Sequence, residues 1–456
     1  MIRLLAGHEW RVLTSHSVVQ LVVFVFVSAL LAATLLGVSR DVRERVTALV
    51  FTTSGEIGRG GPPPSLRADA VANERGSLAL LPPAPLGALA IGQSDVYSNY
   101  FKITARSLDG LVTGDQIEHP LQVAIGQFDV AFVILFLYPL LIFALSFDLT
   151  AGERDRGTLR MVLSQPVTLR EVVAGRMIVR VVLLLVPALV VPLVAGLIAA
   201  RVEPSYVERA LAWSVAVVVY AAVWHGIALI VNARGRSAPA NALVLAGVWL
   251  LLVVVGPSTV NLLIGTWYPM PSRVDAAVQA RSATQDATVQ GSRELGQFLQ
   301  DHPTSGNVGR EGMRQFALLQ AQRDQRVADR LQSVEAAFND QLARQQRLTS
   351  RLSVLSPTMI AQGVLLDVAG TSTHRFEHFR SEAAAFQRQW RAYFEPRVLD
   401  AATLTPDEYA AAPVFTYQDE GTGAMRGRVL APIAMLTLLA LLLWWAGFRL
   451  YEGYQL

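Results

Sequence analysis

The chain of 456 residues contains no cysteine. That removes disulfides, thiolate nucleophiles and cysteine-ligated zinc, and it leaves the redox compartment open. Lysine is nearly as scarce, since every one of the 39 basic residues except Lys102 is arginine. A phosphate-binding P-loop needs a lysine after a glycine-rich turn, and Lys102 follows Phe101 with no such turn before it. ATP hydrolysis by that route is excluded for this chain. Charge is thin overall, at 16% of residues with a net value of +3. With 52% hydrophobic residues and positive mean hydropathy, the composition is that of a polytopic membrane protein with a sizeable water-facing part.

What the chain does have is long apolar runs, at 18–38, 129–147, 177–200, 210–231, 240–264 and 430–448. Each holds roughly the 20 residues that a helix needs to cross about 30 Å of hydrocarbon. With no water in the bilayer core, such runs must be helices that satisfy their own backbone. The first is too long for a signal-peptide core and is read as a span. The short loops 149–176 and 232–237 carry Arg154, Arg156, Arg160, Arg170, Arg176, Arg234 and Arg236, which makes them cytoplasmic and puts both termini inside. The expected fold is an all-α polytopic membrane protein with six transmembrane helices, a largely helical external domain and a smaller mixed external segment. Along the chain this gives an interfacial helix at 1–16, a span at 17–38, an external segment at 39–128 and four spans within 129–264 around a loop at 148–176. An external helical domain at 265–427, a last span at 428–450 and a tail at 451–456 complete it.

Local signals refine this plan. Ile2, Leu5, Ala6, Trp10 and Leu13 share one helical face with Arg11 opposite, Arg3 at the flank and Glu9 on the apolar side, a pattern suited to a lipid interface. Thr168-Leu-Arg-Glu171 fits a capping box, and Pro166 separates that helix start from a shorter helix over 157–164. The loop therefore reads as a helix–turn–helix elbow leading into the third span. Gly60-Gly-Pro-Pro-Pro-Ser65 and Leu81-Pro-Pro-Ala-Pro85 are turn signals, and 97–104 reads as a short strand. Apolar residues from Met313 to Leu348 recur mostly at helical spacing, with Gln320 and Arg323 interrupting the stripe near its start. They predict a long amphipathic helix over 310–355, ended by Ser356-Pro357 and paired with another over 274–299. A further helix is expected over 374–394, stopped before Pro396.

The block from Glu153 through Arg154, Asp155, Arg156, Gly157, Thr158 and Leu159 to Leu163, Ser164 and Pro166 packs both charge signs tightly before the helix start at Thr168. A loop that only enforced topology would need arginine but not that order. A glutamate, a nearby Gly-Thr-Leu, a Leu-Ser-x-Pro and a helix start resemble the cytoplasmic signature of ABC exporter permeases of the second type. The matching residues are Glu153, Gly157, Thr158, Leu159, Leu163, Ser164 and Pro166. That family commonly continues with Ser-Arg after Pro-Val, whereas this chain has Thr168-Leu169 with Arg170 one place late. His119-Pro-Leu with Gly126-Gln-Phe-Asp129-Val-Ala-Phe, and Leu355-Ser-Pro, Val368-Ala-Gly-Thr371 and His374-Arg-Phe-Glu-His-Phe379, resemble a branch of that family with an enlarged external loop before the last span. The resemblance implies a permease subunit of a bacterial cytoplasmic membrane, paired with an identical or paralogous copy and gripped by two separate ATPase subunits at the residues from Glu153 to Thr168. ATP and Mg would then be held by those partners, and this chain would carry no cofactor and no catalytic group of its own. An external envelope protein is a further candidate partner, and nothing calls for nucleic acid.

Other motifs have plainer readings. His374-Arg-Phe-Glu-His378 spells the inverted zinc-peptidase pattern, with Glu377 placed to activate water. A third ligand is needed, and Glu382, Glu395, Asp400 and Glu408 stand in no telling context, so a plain exposed helix is the preferred reading and a membrane-anchored peptidase the rival. A non-transporting envelope scaffold is the other rival. Within the spans, His225, Asn241 and Asn261 are candidates for a substrate path, with hydrogen bonding between packed helices an equal reading for each. Asp129 stands at the outer entrance of the second span as a gate, an anchor or half of a salt bridge. Gly256-Pro257 should break or bend the fifth span, and Trp267, Trp444 and Trp445 fit an aromatic belt.

Overall fold

The computed structural model describes residues 2–57, 67–92, 99–106, 108–110, 128–198, 204–234, 237–269, 344–400 and 402–452, with scattered positions between 278 and 341. Most of the expected 310–355 helix and its partner over 274–299 lie outside the described residues, although 344–352 is helical.

Helix α1 (Ile2–Ser15) leads into α2 (Ser17–Ile57). The second apolar run is built from α3 (Val130–Phe132), a π turn over Val133–Leu137 and α4 (Tyr138–Ser146). The elbow holds α5 (Ala151–Asp155) and α6 (Leu159–Leu163). Then come α7 (Leu169–Ile198) and α8 (Pro204–Ala233). The fifth run is α9 (Ala238–Trp249), a π turn over Leu250–Val255 and α10 (Gly256–Trp267). Helices α11 (Pro357–Ala369), α12 (Thr373–Leu399), α13 (Pro406–Ala410) and α14 (Thr422–Glu452) follow. Six of these stretches are long and apolar enough to cross a membrane, which fits an all-α polytopic protein.

The helices depart from the expected plan at three places. Helix α2 runs on past the span expected at 17–38, to 41 residues in all, about 60 Å at 1.5 Å per residue and twice the hydrocarbon thickness. Arg40–Glu44 and Asp41–Arg45 ion pairs at i,i+4 support the helix beyond its apolar part. Helix α12 does not stop before Pro396 but passes through it to Leu399, the proline forfeiting one backbone bond, to Ala392 O. Of the break or bend expected at Gly256-Pro257, no break is seen: a π turn over Leu250–Val255 precedes the proline and the helix continues to Trp267.

A π turn also precedes Pro139 in the second run, so the device is used twice. Proline lacks the N–H that would serve a carbonyl in the preceding turn. Side chains from other elements supply donors in those turns. Tyr220 Oη donates to Leu135 O (2.8 Å), Trp249 Nε1 to Phe136 O (3.0 Å) and Ser356 Oγ to Leu252 O (2.6 Å). Ser356 also caps α11, and Thr358 Oγ1 lies 3.1 Å from Tyr220 Oη.

Tyr220 and Leu252 are about halfway along their spans, so α11 starts at mid-depth and runs back toward the end of the bundle away from the elbow. There Arg209 Nη1 donates to Val368 O at its C-terminus (3.1 Å), and Gly370 closes the helix at φ +77°. Eight of its thirteen residues are buried, six of them in the same core as the spans. The expected break at Ser356-Pro357 is thus followed by a re-entrant helix. The stretch around Leu86–Ala90 also enters this core, and Gly37 of α2 admits it, since a Cβ there would lie 1.9 Å from Ala88 O.

A second core lies outside the bundle. Strands β1 (Ser77–Leu80), β2 (Tyr100–Ile103) and β3 (Leu108–Gly110) form an antiparallel sheet in sequence order, with Leu78 opposite Lys102. Lys102 Nζ donates to Glu74 O (2.7 Å). Phe379, Ala383, Phe386, Trp390 and Phe394 of α12 recur every three or four positions and pack with Phe101 and Ile103 of the sheet. Described parts of the two segments expected to be external, separate in the sequence plan, form one packed unit.

Candidate functional site: a charged elbow at one end of the bundle

The elbow begins where α4 ends. Asn232 of α8 reaches across to this turn: its Nδ2 donates to Ser146 O (2.8 Å), and its Oδ1 accepts from Leu149 N (3.2 Å). Asn241 Nδ2 donates to the same Oδ1 and to Phe147 O, both at 3.3 Å. Two amides on different spans therefore fix the root of the elbow. Asn241 takes the hydrogen-bonding role, while Asn232 was not singled out in the sequence.

Next, Asp148 accepts from Gly152 N and starts α5. Gly157 then turns the chain at φ +74°, with open space around the position its Cβ would occupy. Helix α6 has two faces. Leu159, 1% exposed, packs with Leu149, Leu169, Val173 and Tyr451, and Leu163 is half-buried beside it. Arg160 and Met161 face the other way. Ser164, Gln165 and Pro166 are exposed, as are Asp155, Arg156 and Thr158. The capping box forms as its spelling predicts: Glu171 Oε2 accepts from Thr168 N (2.9 Å), and Glu171 N donates to Thr168 Oγ1 (3.3 Å).

Glu153 is not presented outward. It pairs with Arg176 of α7, whose guanidinium also donates to Leu149 O and lies 3.6 Å from Glu9. One turn deeper, Arg180 donates to Glu9 (2.8 Å) and to Leu145 O (2.7 Å). Arg180 is only 5% exposed. Glu9 therefore sits on the inward face of α1 because two arginines of the third span require a carboxylate there. The carbonyls of Leu145 and Leu149 lie at and just past the end of α4, where a cation is favourable. This network joins α1, the elbow and the third span. Arg180 breaks an otherwise apolar run one turn after Arg176, and that was the sequence signal for it.

Arg170 pairs with Glu452 of α14 (2.5 Å) and lies over the Phe448 ring, so the last span is held to the same end. The elbow thus separates into residues that fix it to the bundle (Glu153, Leu159, Leu163) and residues that face away (Arg156, Gly157, Thr158, Arg160, Met161, Ser164, Pro166).

The path candidates do not converge. His225 is fully buried, with Nδ1 2.8 Å from Ala221 O. Asn261 is exposed on α10, twenty positions from Asn241 and about 30 Å along one helix. At the far end Asp129 acts as an N-cap, accepting from Phe132 N (2.6 Å) and Ile91 N (2.9 Å), which anchors the buried loop to the second span.

His374 and His378 share α12, and His378 Nε2 lies 3.0 Å from Gln418 O and 3.4 Å from Glu382. Glu408 is occupied in a second capping box with Thr405, whose backbone N–H and hydroxyl donate to it and hold its carboxyl below the usual range. Among the described residues no three His, Asp or Glu side chains are grouped to hold a metal ion.

Fold and site together describe a helical polytopic protein with a rigidly rooted charged elbow at one end and a packed mixed unit at the other. Residues 273–418 match a family described as a domain of unknown function, DUF3526. The match covers the segment between the fifth and sixth long apolar helices and none of those helices. No curated protein matches the chain significantly.

Proposed function

We propose that this chain is the transmembrane permease subunit of an ABC transporter, in which separate ATPase subunits press on the elbow from the cytoplasm. The observation that carries the reading is the elbow's division of labour. One face is fixed to the spans by Leu159, Glu153–Arg176 and the Asn232 bracket, and the opposite face is free. The capped start at Thr168 then continues without a break into a 30-residue helix, a rigid path from the elbow into the third span. The two ATPase subunits hold ATP and Mg, and a second permease, identical or paralogous, completes the bundle in the lipid bilayer. The elbow end and both termini are cytoplasmic, in a bacterial inner membrane. The unit at the far end faces outside, where it receives exported substrate or meets an envelope partner, and the work done is export or mechanical.

Co-expression with an ABC ATPase encoded beside this chain tests the reading. The complex should co-purify and hydrolyse ATP faster than the ATPase alone. Gly157→Val should abolish both effects while the chain still inserts, because a β-branched residue cannot hold φ +74°. Unchanged co-purification and stimulation with Gly157→Val would count against the elbow as the docking site.

A further inference from the structure

We infer that Met161 is the anchor of the elbow's free face, and that the ATPase surface it enters is an apolar socket rimmed by carboxylates. The inference rests on the docking reading above and adds the chemistry of the partner's surface. Met161 is 76% exposed on α6, whose other apolar residues, Leu159 and Leu163, turn into the bundle. A helix this short has no need of an outward methionine for its own packing. The thioether is unbranched and polarisable, which suits it to fill a socket of irregular shape. Arg160 adjoins it and Arg156 lies on the exposed turn before it. Neither has a carboxylate within ion-pair distance among the described residues, whereas Arg154, Arg170 and Arg176 all do. An apolar knob between unpaired cations asks for an apolar floor with acidic edges, the arrangement in which rim charges steer and a central side chain anchors.

The face points away from the leucines that pack on the span ends. On the docking reading its occupant is the ATPase, and lipid headgroups are an outcome of the test.

The test uses the full chain in membranes, co-expressed with the ATPase, carrying a photo-crosslinking benzoylphenylalanine at position 161. The same group at Ile178, exposed on the third span, reports lipid. The expected product at 161 joins the chain to a polypeptide with a glycine-rich phosphate loop, through a peptide that carries at least two Asp or Glu beside apolar residues. Met161→Ala should weaken co-purification about tenfold or more, the scale of a buried anchor, and Met161→Leu should preserve it. Arg156→Gln with Arg160→Gln should weaken it further and remove most of its sensitivity to salt. Undiminished co-purification of Met161→Ala would overturn the anchor and leave the docking reading standing. Wild-type chain that retains no ATPase would overturn both. Cross-links to lipid, or to a second copy of the chain, would assign the face to another occupant and overturn the inference.

Discussion

Replacing Glu9 by alanine should loosen the elbow end of the molecule, although Glu9 lies far from the elbow in sequence. Its carboxylate is 2.8 Å from Arg180 Nη1 and 3.6 Å from Arg176 Nε. At an effective dielectric constant of about 20, those gaps correspond to about 6 and about 5 kcal/mol of Coulomb attraction. Desolvating three ions returns most of that, so the net value of the network is small while the cost of breaking it is not. Without Glu9, Arg176 keeps Glu153, but among the described residues Arg180 keeps hydrogen bonds only to the carbonyls of Leu145 and Arg176, with Asp148 as a more distant carboxylate. A buried charge stripped of its counter-ion costs about 3–5 kcal/mol. Denaturant unfolding of the detergent-solubilised chain, followed by tryptophan fluorescence, should show a loss of that size for Glu9→Ala. Combining it with Arg180→Met should recover most of the loss, because an apolar replacement removes the stranded charge. A Glu9→Ala variant within 1 kcal/mol of wild type, or a double variant as unstable as the single one, would mean that α1 is held by packing alone and would refute the account of Glu9.

Three further outcomes are expected. Gly37→Val should push the Leu86–Ala90 stretch off α2, since a Cβ at 37 would overlap Ala88 O, and a cysteine placed at Ala90 should then react with an impermeant maleimide that it resists in the parent. Tyr220→Phe should cost about 1–3 kcal/mol by leaving Leu135 O without its donor, and Ser356→Ala about the same through Leu252 O, both measured by unfolding. The Thr405–Glu408 cap should respond to acid: Glu408 is lowered in the folded state, so its contribution is present above the ordinary glutamate range near 4.3 and is lost as the pH falls through the lowered value. Amide exchange at Thr405 and Glu408 should speed up below that range in wild type and show no such step in Thr405→Ala.

Runs of twenty apolar residues announced the spans, because the bilayer imposes a length that composition alone can meet. The capping box at Thr168 and Glu171 was equally legible, since both partners lie within one turn. What escaped depends on contacts across hundreds of residues. Glu9 looked like a flaw in an amphipathic stripe because its partner Arg180 is 171 positions away. Helix α11 is too short to span a membrane, so its 13 residues read as part of an external domain. Its re-entrant placement follows from Ser356 and Tyr220 serving carbonyls next to two prolines in other spans. The sheet between the first two spans has too little core to stand alone, and the aromatic stripe of α12, nearly 300 positions on, completes it.

These distant contacts bear on how the proposed function would work. A push on an elbow hinged at both ends would be lost in bending. Here the Asn232–Asn241 bracket stiffens the root, and the Glu153–Arg176 pair ties α5 to the start of the third span. Between them lies the Gly157 turn, exposed and without neighbours at its Cβ position, so compliance is concentrated between α5 and α6. Leu159 and Leu163 limit even that by packing α6 onto the span ends. Displacement of the Met161 face therefore reaches two places at once: the third span through the capped helix at Thr168, and the second, fourth and fifth spans through the amide bracket. The fourth span carries Tyr220 and Arg209, which touch the two ends of α11. A shift that begins at the elbow thus has a continuous packed route to the re-entrant helix and, through Arg375–Asp419 beside it, to the unit at the far end.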